Sequence, residues 1–283
     1  MPSDRKPYIA LLLGLLLPGL GHGYAGDKKR ALIAFAAVTT CFVLGLVLAQ
    51  HRVFAFTSSL FAGLPVLEWL PIHLLPEAGN FGETMLAWIL QPASTEAGRD
   101  RLMRLPVATE HIGLTLTGLA GYLNAILAAD AAWLLARGRL EQERGRSFPG
   151  QPALSCLAAW LVPGLGHVRE GRRTVGMLVG ISILALWIAG LWFSDFTACD
   201  RPQLYWWWAA QAGAGGPTLL SSTLLGPLAM DHEIPHMDLG ITLLAIAGLL
   251  NVVSLTDVYT LAEKNALAAG GLVDAPVAPR QPA

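Results

Sequence analysis

Charge is what this sequence lacks most: Asp, Glu, Lys and Arg make up 14% of its 283 residues, where a soluble domain carries about 25%. With 54% hydrophobic residues beside it, that shortage excludes an ordinary soluble domain and makes an integral membrane protein the default class. Cysteine is scarce as well. Cys41, Cys156 and Cys199 are odd in number and unrelated in spacing, which excludes a disulfide framework and a thiolate metal site, so they read as small core residues. Net charge is −1 and the basic residues lie in short scattered clusters, so there is no stripe to neutralise a phosphate backbone and nucleic acid is not an expected partner. A phosphate-binding glycine loop and a nucleophile with its base are also missing, and no reaction and no cofactor is specified.

What the sequence does contain is a stretch that occurs twice. Residues 15–30 read LLLPGLGHGYAGDKKR. Arg5 and Lys6 followed by Ile9 to Leu17 have the layout of a secretory signal peptide. The rest of the chain argues otherwise, because Pro18, Gly19, Leu20, Gly21, His22 and Gly26 recur at one constant offset as Pro163, Gly164, Leu165, Gly166, His167 and Gly171, again with basic residues behind them. An internal copy is no export signal. Further on, AGYLNAILAAD (120–130) matches AGLLNVVSLTD (247–257), so Asn124 and Asp130 recur as Asn251 and Asp257. The matched blocks keep their order, which is a tandem duplication: repeat 1 over 8–137, a polar linker over 138–152, repeat 2 over 153–264 and a Pro/Ala-rich tail over 265–283.

The pattern PGLGHxYxG with basic residues and an apolar run behind it resembles the two-transmembrane-segment domain family. With the later AGLLN…D helix it is similar to an uncharacterised group of bacterial membrane proteins, here tandemly duplicated. The second copy departs at Val168 and Arg169, where the first has Gly23 and Tyr24. The resemblance implies architecture and no chemistry.

Four segments are long enough to cross a ~30 Å hydrocarbon core: 31–50, 112–136, 174–194 and 239–262. The apolar stubs ahead of the two PGLGH motifs give ten residues each before proline, about 15 Å of helix. If 8–24 and 153–168 crossed fully, one of the basic clusters would fall outside; if both are re-entrant, the inside carries 14 of the 19 Lys and Arg, and the outer segments 51–111 and 195–238 carry 11 of the 20 acidic residues. Short cytoplasmic loops favour Lys and Arg, so the charge asymmetry selects re-entry. The expected architecture is all-α integral membrane: two tandem parallel repeats, about four transmembrane helices, two re-entrant half-helices and outer interfacial helices. Those outer helices are 53–75, which holds Pro65, Glu68 and Pro71, and the segment that opens with Tyr205, Trp206, Trp207 and Trp208. The expected location is the bacterial inner membrane, with both termini cytoplasmic.

Pro18, Gly19 and Gly21, with Pro163, Gly164 and Gly166, are expected to stop a half-helix and reverse the chain, and His22 and His167 to bond the carbonyls freed at those turns. Asn124 and Asn251 fall near the membrane midplane with Asp130 and Asp257 closer to the cytoplasm, where interhelical hydrogen bonding or a polar translocation path would use them. His232-Glu233-Ile234-Pro235-His236 satisfies the H-E-x-x-H zinc pattern, but Pro235 is ill-suited to a helix interior that must project His232 and His236 together. Three functions follow in order: a non-catalytic membrane subunit or scaffold docking other integral membrane proteins in the lipid bilayer, a small-solute or ion transporter using the repeat interface, and a metalloenzyme on His232, Glu233 and His236 alone.

Overall fold

The computed structural model describes residues 5–50, 76–90, 108–201, 204–225 and 233–272, and among these every regular element is a helix. Helix α1 (Pro7–Leu16) starts on a proline, whose missing N–H costs nothing in a first turn, and stops at Leu17, where the backbone turns extended ahead of Pro18. Gly19 then takes φ 77°, α2 (Leu20–Ala25) makes one short turn, and Gly26 closes it in the left-handed region. Asp27 caps the next helix by accepting from the Arg30 backbone N–H at 2.9 Å, and α3 (Lys28–Leu48) runs for 21 residues. A single 3-10 turn (Glu77–Asn80) leads into α4 (Phe81–Leu90). Helix α5 (Glu110–Arg144) has 35 residues, about 50 Å, so its end continues past a bilayer core and into the stretch read as linker.

The second half repeats this course. Helix α6 (Pro152–Leu161) again begins on proline, Gly164 takes φ 85°, and α7 (Leu165–Arg169) and α8 (Arg173–Phe193) follow. After α9 (Tyr205–Gln211), a 3-10 turn (Ala212–Ala214) leads into α10 (Gly216–Leu225), and α11 (Met237–Ala269) closes the repeat with 33 residues. Helices α3, α5, α8 and α11 are long and apolar enough to cross a membrane. They match the four segments expected: α5 and α11 run past the expected bounds at both ends, and α3 and α8 begin and end one to three residues earlier. Segment 53–75 lies outside the described residues.

Within each repeat the spans meet through small residues. A Cβ on Gly45 would stand 2.8 Å from the Gly113 carbonyl, and one on Gly190 3.0 Å from the Gly240 carbonyl, so α3 lies on α5 as α8 lies on α11, backbone against backbone. Val38, Phe42, Leu46 and Leu114 fill the first contact; Ile183, Trp187, Ile241 and Leu244 fill the second. Gly176 and Gly180 hold a different neighbour: their faces receive Gly164 and Pro163 of the motif turn. A third cluster joins the repeats, with Leu119 of α5 among Cys156, Ala159 and Trp160 of α6, and Tyr122 stacked on Trp160 at 6.0 Å. Trp208, read from sequence as a boundary residue, is instead fully buried: its ring fills the notch at Gly118 and its indole N–H donates to Ser222. The notch exists because residue 118 has no side chain.

Candidate functional site

The two motif histidines do not cap turn carbonyls. His22 Nε2 stands 3.1 Å from Asp130 Oδ2, and His167 Nε2 stands 2.9 Å from Asp257 Oδ2, so the first repeated block of each half is tied to its last. A carboxylate only accepts, so Nε2 carries the proton in both pairs. Both rings are buried, at 2% and 1% exposure. The histidines' own carbonyls accept backbone N–H groups of Asp27 and Arg172.

The copies differ around this common pair. In repeat 1, Arg30 bridges Asp130 at 3.0 Å and Asp27 at 3.3 Å, and the Asp130 side chain is 11% exposed. Val175 holds the place of Arg30 in repeat 2, and the Asp257 side chain is 56% exposed. Repeat 2 adds its own lock beside α7: Glu170 accepts from the Ser155 hydroxyl and from Asn265, linking α6 to α11. The corresponding corner of repeat 1 is apolar, with Ala10, Ala25, Leu134 and Leu135.

Each pair borders a cavity built from equivalent positions. The first measures about 250 Å³, with Arg30, Ala34, Leu123 and Leu127 on its walls. The second measures about 380 Å³, with Val175, Val179, Leu250 and Ser254 in the same places. Leu157 of α6 adds to the lining of the first cavity and has no equivalent at the second.

Asn124 holds the stop of α1, and both asparagines hold the 3-10 turn of their repeat. Asn124 Nδ2 donates to the Gly14 and Gly79 carbonyls, both at 2.9 Å. The Gly14 carbonyl would ordinarily accept from the residue four positions on, which is Pro18 and has no N–H, so Asn124 supplies the missing donor. Asn251 Nδ2 donates to the Gly213 carbonyl at 3.0 Å, the place of Gly79 in the second copy. In both residues Oδ1 is buried without a hydrogen-bond partner.

Sequence reading missed a third repeated block, EAGNFGET (77–84) against QAGAGGPT (211–218), although four of its eight positions are identical. Its threonines make equivalent bonds: Thr84 donates to the Glu77 carbonyl at 3.0 Å and Thr218 to the Gln211 carbonyl at 2.6 Å. Its first position diverges in function. Gln211 donates to the Ala198 carbonyl within its own repeat. Glu77, fully buried, pairs across the repeats with Arg201 at 2.6 Å and accepts from Thr117 at 2.8 Å, while the Arg201 guanidinium lies 4.7 Å over the Trp208 ring.

Of the H-E-x-x-H residues, His232 lies outside the described residues. Glu233 and His236 are exposed, and His236 lies edge-on to Phe193 ahead of α11, with Pro235 before the helix and Asp238 in its first turn. Among the described residues no group of three His, Cys, Asp or Glu could hold a metal ion. Cys199, in the connection after α8, is 4% exposed, and burial pushes its thiol up to about 12. No curated protein and no solved structure matches the chain. One family's sequence profile matches twice, over residues 9–143 and again over 154–269. The two matched lengths are the two halves that share a histidine–aspartate pair, an asparagine clamp and a glycine contact, and the chain belongs to that family of unknown function, DUF6677, in two tandem copies.

Proposed function

We propose that the protein is a non-catalytic subunit of a membrane assembly, a scaffold whose exposed apolar faces dock other membrane chains. The observation that carries this reading is how the intramembrane polar groups are used. A cavity of about 420 Å³ between the repeats is lined by Pro76, Tyr122, Trp206, Ala209, Leu249 and their neighbours, and Asn124, Asp130, Asn251 and Asp257 do not border it. Those four residues bond the chain's own turns and histidines. A solute path along the repeat interface needs polar groups lining it, and the charged pair that does lie between the repeats, Glu77 with Arg201, is buried and joins the halves.

The topology belongs to the same reading: α1 and α6 enter the bilayer and leave by the same face, the basic clusters and both termini are cytoplasmic, and the membrane is a bacterial inner membrane. Ten-residue helices reach only about half of a ~30 Å core. Lys28→Cys and Arg172→Cys are expected to react with a membrane-impermeant thiol reagent only when the cytoplasmic face is open. Reaction from the outside on intact cells defeats re-entry.

One feature favours a second reading, an ion or proton path. The cavity of about 380 Å³ in repeat 2 is lined by His167, Ser254 and Asp257, and Ser254 Oγ and His167 Nδ1 are buried without a hydrogen-bond partner. Purified protein in sealed liposomes separates the two. The scaffold reading expects proton and cation fluxes no faster than in empty liposomes, and a flux abolished by Asp257→Asn would replace it.

A further inference from the structure

The two repeats meet through faces that are not the same on both sides. Repeat 1 offers α5 (Leu119, Tyr122, Leu123, Ile126), and repeat 2 offers α6 and α10 (Cys156, Leu157, Trp160, Leu219). Such a contact is heterologous, and a heterologous contact leaves each of its faces free at the opposite end. Both free faces are present and bare. On repeat 2 the equivalents of Leu119, Leu123 and Ile126 are Ile246, Leu250 and Val253, exposed by 40, 44 and 65%, and Leu249, in the place of Tyr122, marks the edge where this face borders the cavity between the repeats. On repeat 1 the equivalent of Leu157 is Leu12, 61% exposed.

From this we infer that a second copy of the chain seats α1 of its repeat 1 on the α8–α11 side of repeat 2, as α6 already sits on the α3–α5 side of repeat 1, and that copies join head to tail into a ring or a row. The inference rests on the docking-subunit reading and names the occupant. Lipid also covers apolar helices, so exposure alone does not select a protein partner. The cavities do. Leu157 contributes to the lining of the cavity beside His22 and Asp130; the equivalent place beside His167 and Asp257 has no residue, and the Asp257 side chain is 56% exposed. On the topology proposed above Asp257 lies toward the cytoplasmic end of its span, and Leu12 of a neighbouring copy would fall where Leu157 has no equivalent. The joint between copies is expected to be weaker than the one inside the chain. It replaces the stacked Tyr122–Trp160 pair by Leu249 and Leu15, and Gln211, in the place of Glu77, is already engaged within its own repeat.

Cross-linking in native membranes tests this. Two differently tagged chains are co-expressed, one carrying Leu12→Cys and the other Leu250→Cys, the counterpart of the Leu123 that shares a cavity with Leu157. A cross-linked pair is expected, and the double variant Leu12→Cys/Leu250→Cys is expected to give a ladder or one closed species. Leu32→Cys, on α3 and 68% exposed, is the control. If the 12/250 pair forms no better than the 12/32 pair, head-to-tail assembly is wrong. Mass measurement in lipid nanodiscs adds a readout independent of cysteine: the unaltered chain is expected as an oligomer and Val253→Trp, a change at an exposed position, as a monomer. An unaltered chain that is monomeric yet bound to a different membrane protein overturns self-assembly and leaves the docking-subunit reading standing. A monomer with no other chain attached overturns both.

Discussion

Asp130 and Asp257 hold the same place in two copies of one unit, bond the same atom of equivalent histidines, and stand in different surroundings. Asp130 has a guanidinium beside it and little exposure, whereas Asp257 has the histidine alone and a side chain more than half exposed. Breaking a buried ion pair by removing one partner costs about 3–5 kcal/mol, and Arg30 is a third exposed, which reduces that to about 1–3 kcal/mol for Asp130→Asn. Asp257→Asn strands no cation and is expected to cost less than about 1 kcal/mol. Thermal unfolding in detergent should therefore rank Asp130→Asn clearly below Asp257→Asn, and equal losses would show that the Arg30 bridge is inert. The identity of these residues was legible, since His22, Asp130, His167 and Asp257 recur at constant offsets within the one sequence. Their partnership was not. Each histidine is 108 or 90 positions from its aspartate, and spacing along a chain carries no geometry at that separation.

At the scale of elements, the spans were legible because an uninterrupted apolar run of about 20 residues has few alternatives to a crossing helix, and the stops were legible because proline cannot continue one. The close approach at the turn was not. Gly19 and Gly164 have positive φ, and a Cβ at either would stand 2.1 Å from the Ala31 carbonyl oxygen or 2.0 Å from that of Gly176. Gly23, four positions on in α2, has only the Ala31 Cβ at 3.9 Å. Strain from forcing an L-residue into such a conformation costs of order 1–3 kcal/mol, and the overlap with α3 or α8 adds to it. Gly19→Ala and Gly164→Ala are expected to lower the amount of folded protein in membranes, while Gly23→Ala is expected to be neutral or to raise it by its better helix propensity. Trp208 was illegible for a related reason: three tryptophans in a row read as a boundary belt, and only the absent side chain of Gly118, far away in sequence, makes a slot for one of them.

At the scale of the whole molecule, what distinguishes the two halves is how they are joined. The internal joint contains a stacked aromatic pair, a tryptophan in a glycine notch and the fully buried Glu77–Arg201 pair. The covalent link between them, by contrast, is a short irregular stretch after Arg144. If the packing and the ion pair hold the halves together, the link is dispensable, and residues 1–145 and 146–283 expressed as separate chains are expected to purify as one complex. Glu77→Ala in the first fragment leaves Arg201 buried without its carboxylate, a loss of about 3–5 kcal/mol, and the complex is expected to dissociate. Pairing it with Arg201→Leu removes the orphaned charge, and is expected to restore association. Fragments that fail to associate in the unaltered form would mean that the linker enforces the joint. A Glu77→Ala fragment that still binds would mean that aromatic and glycine packing carry the joint without the charge.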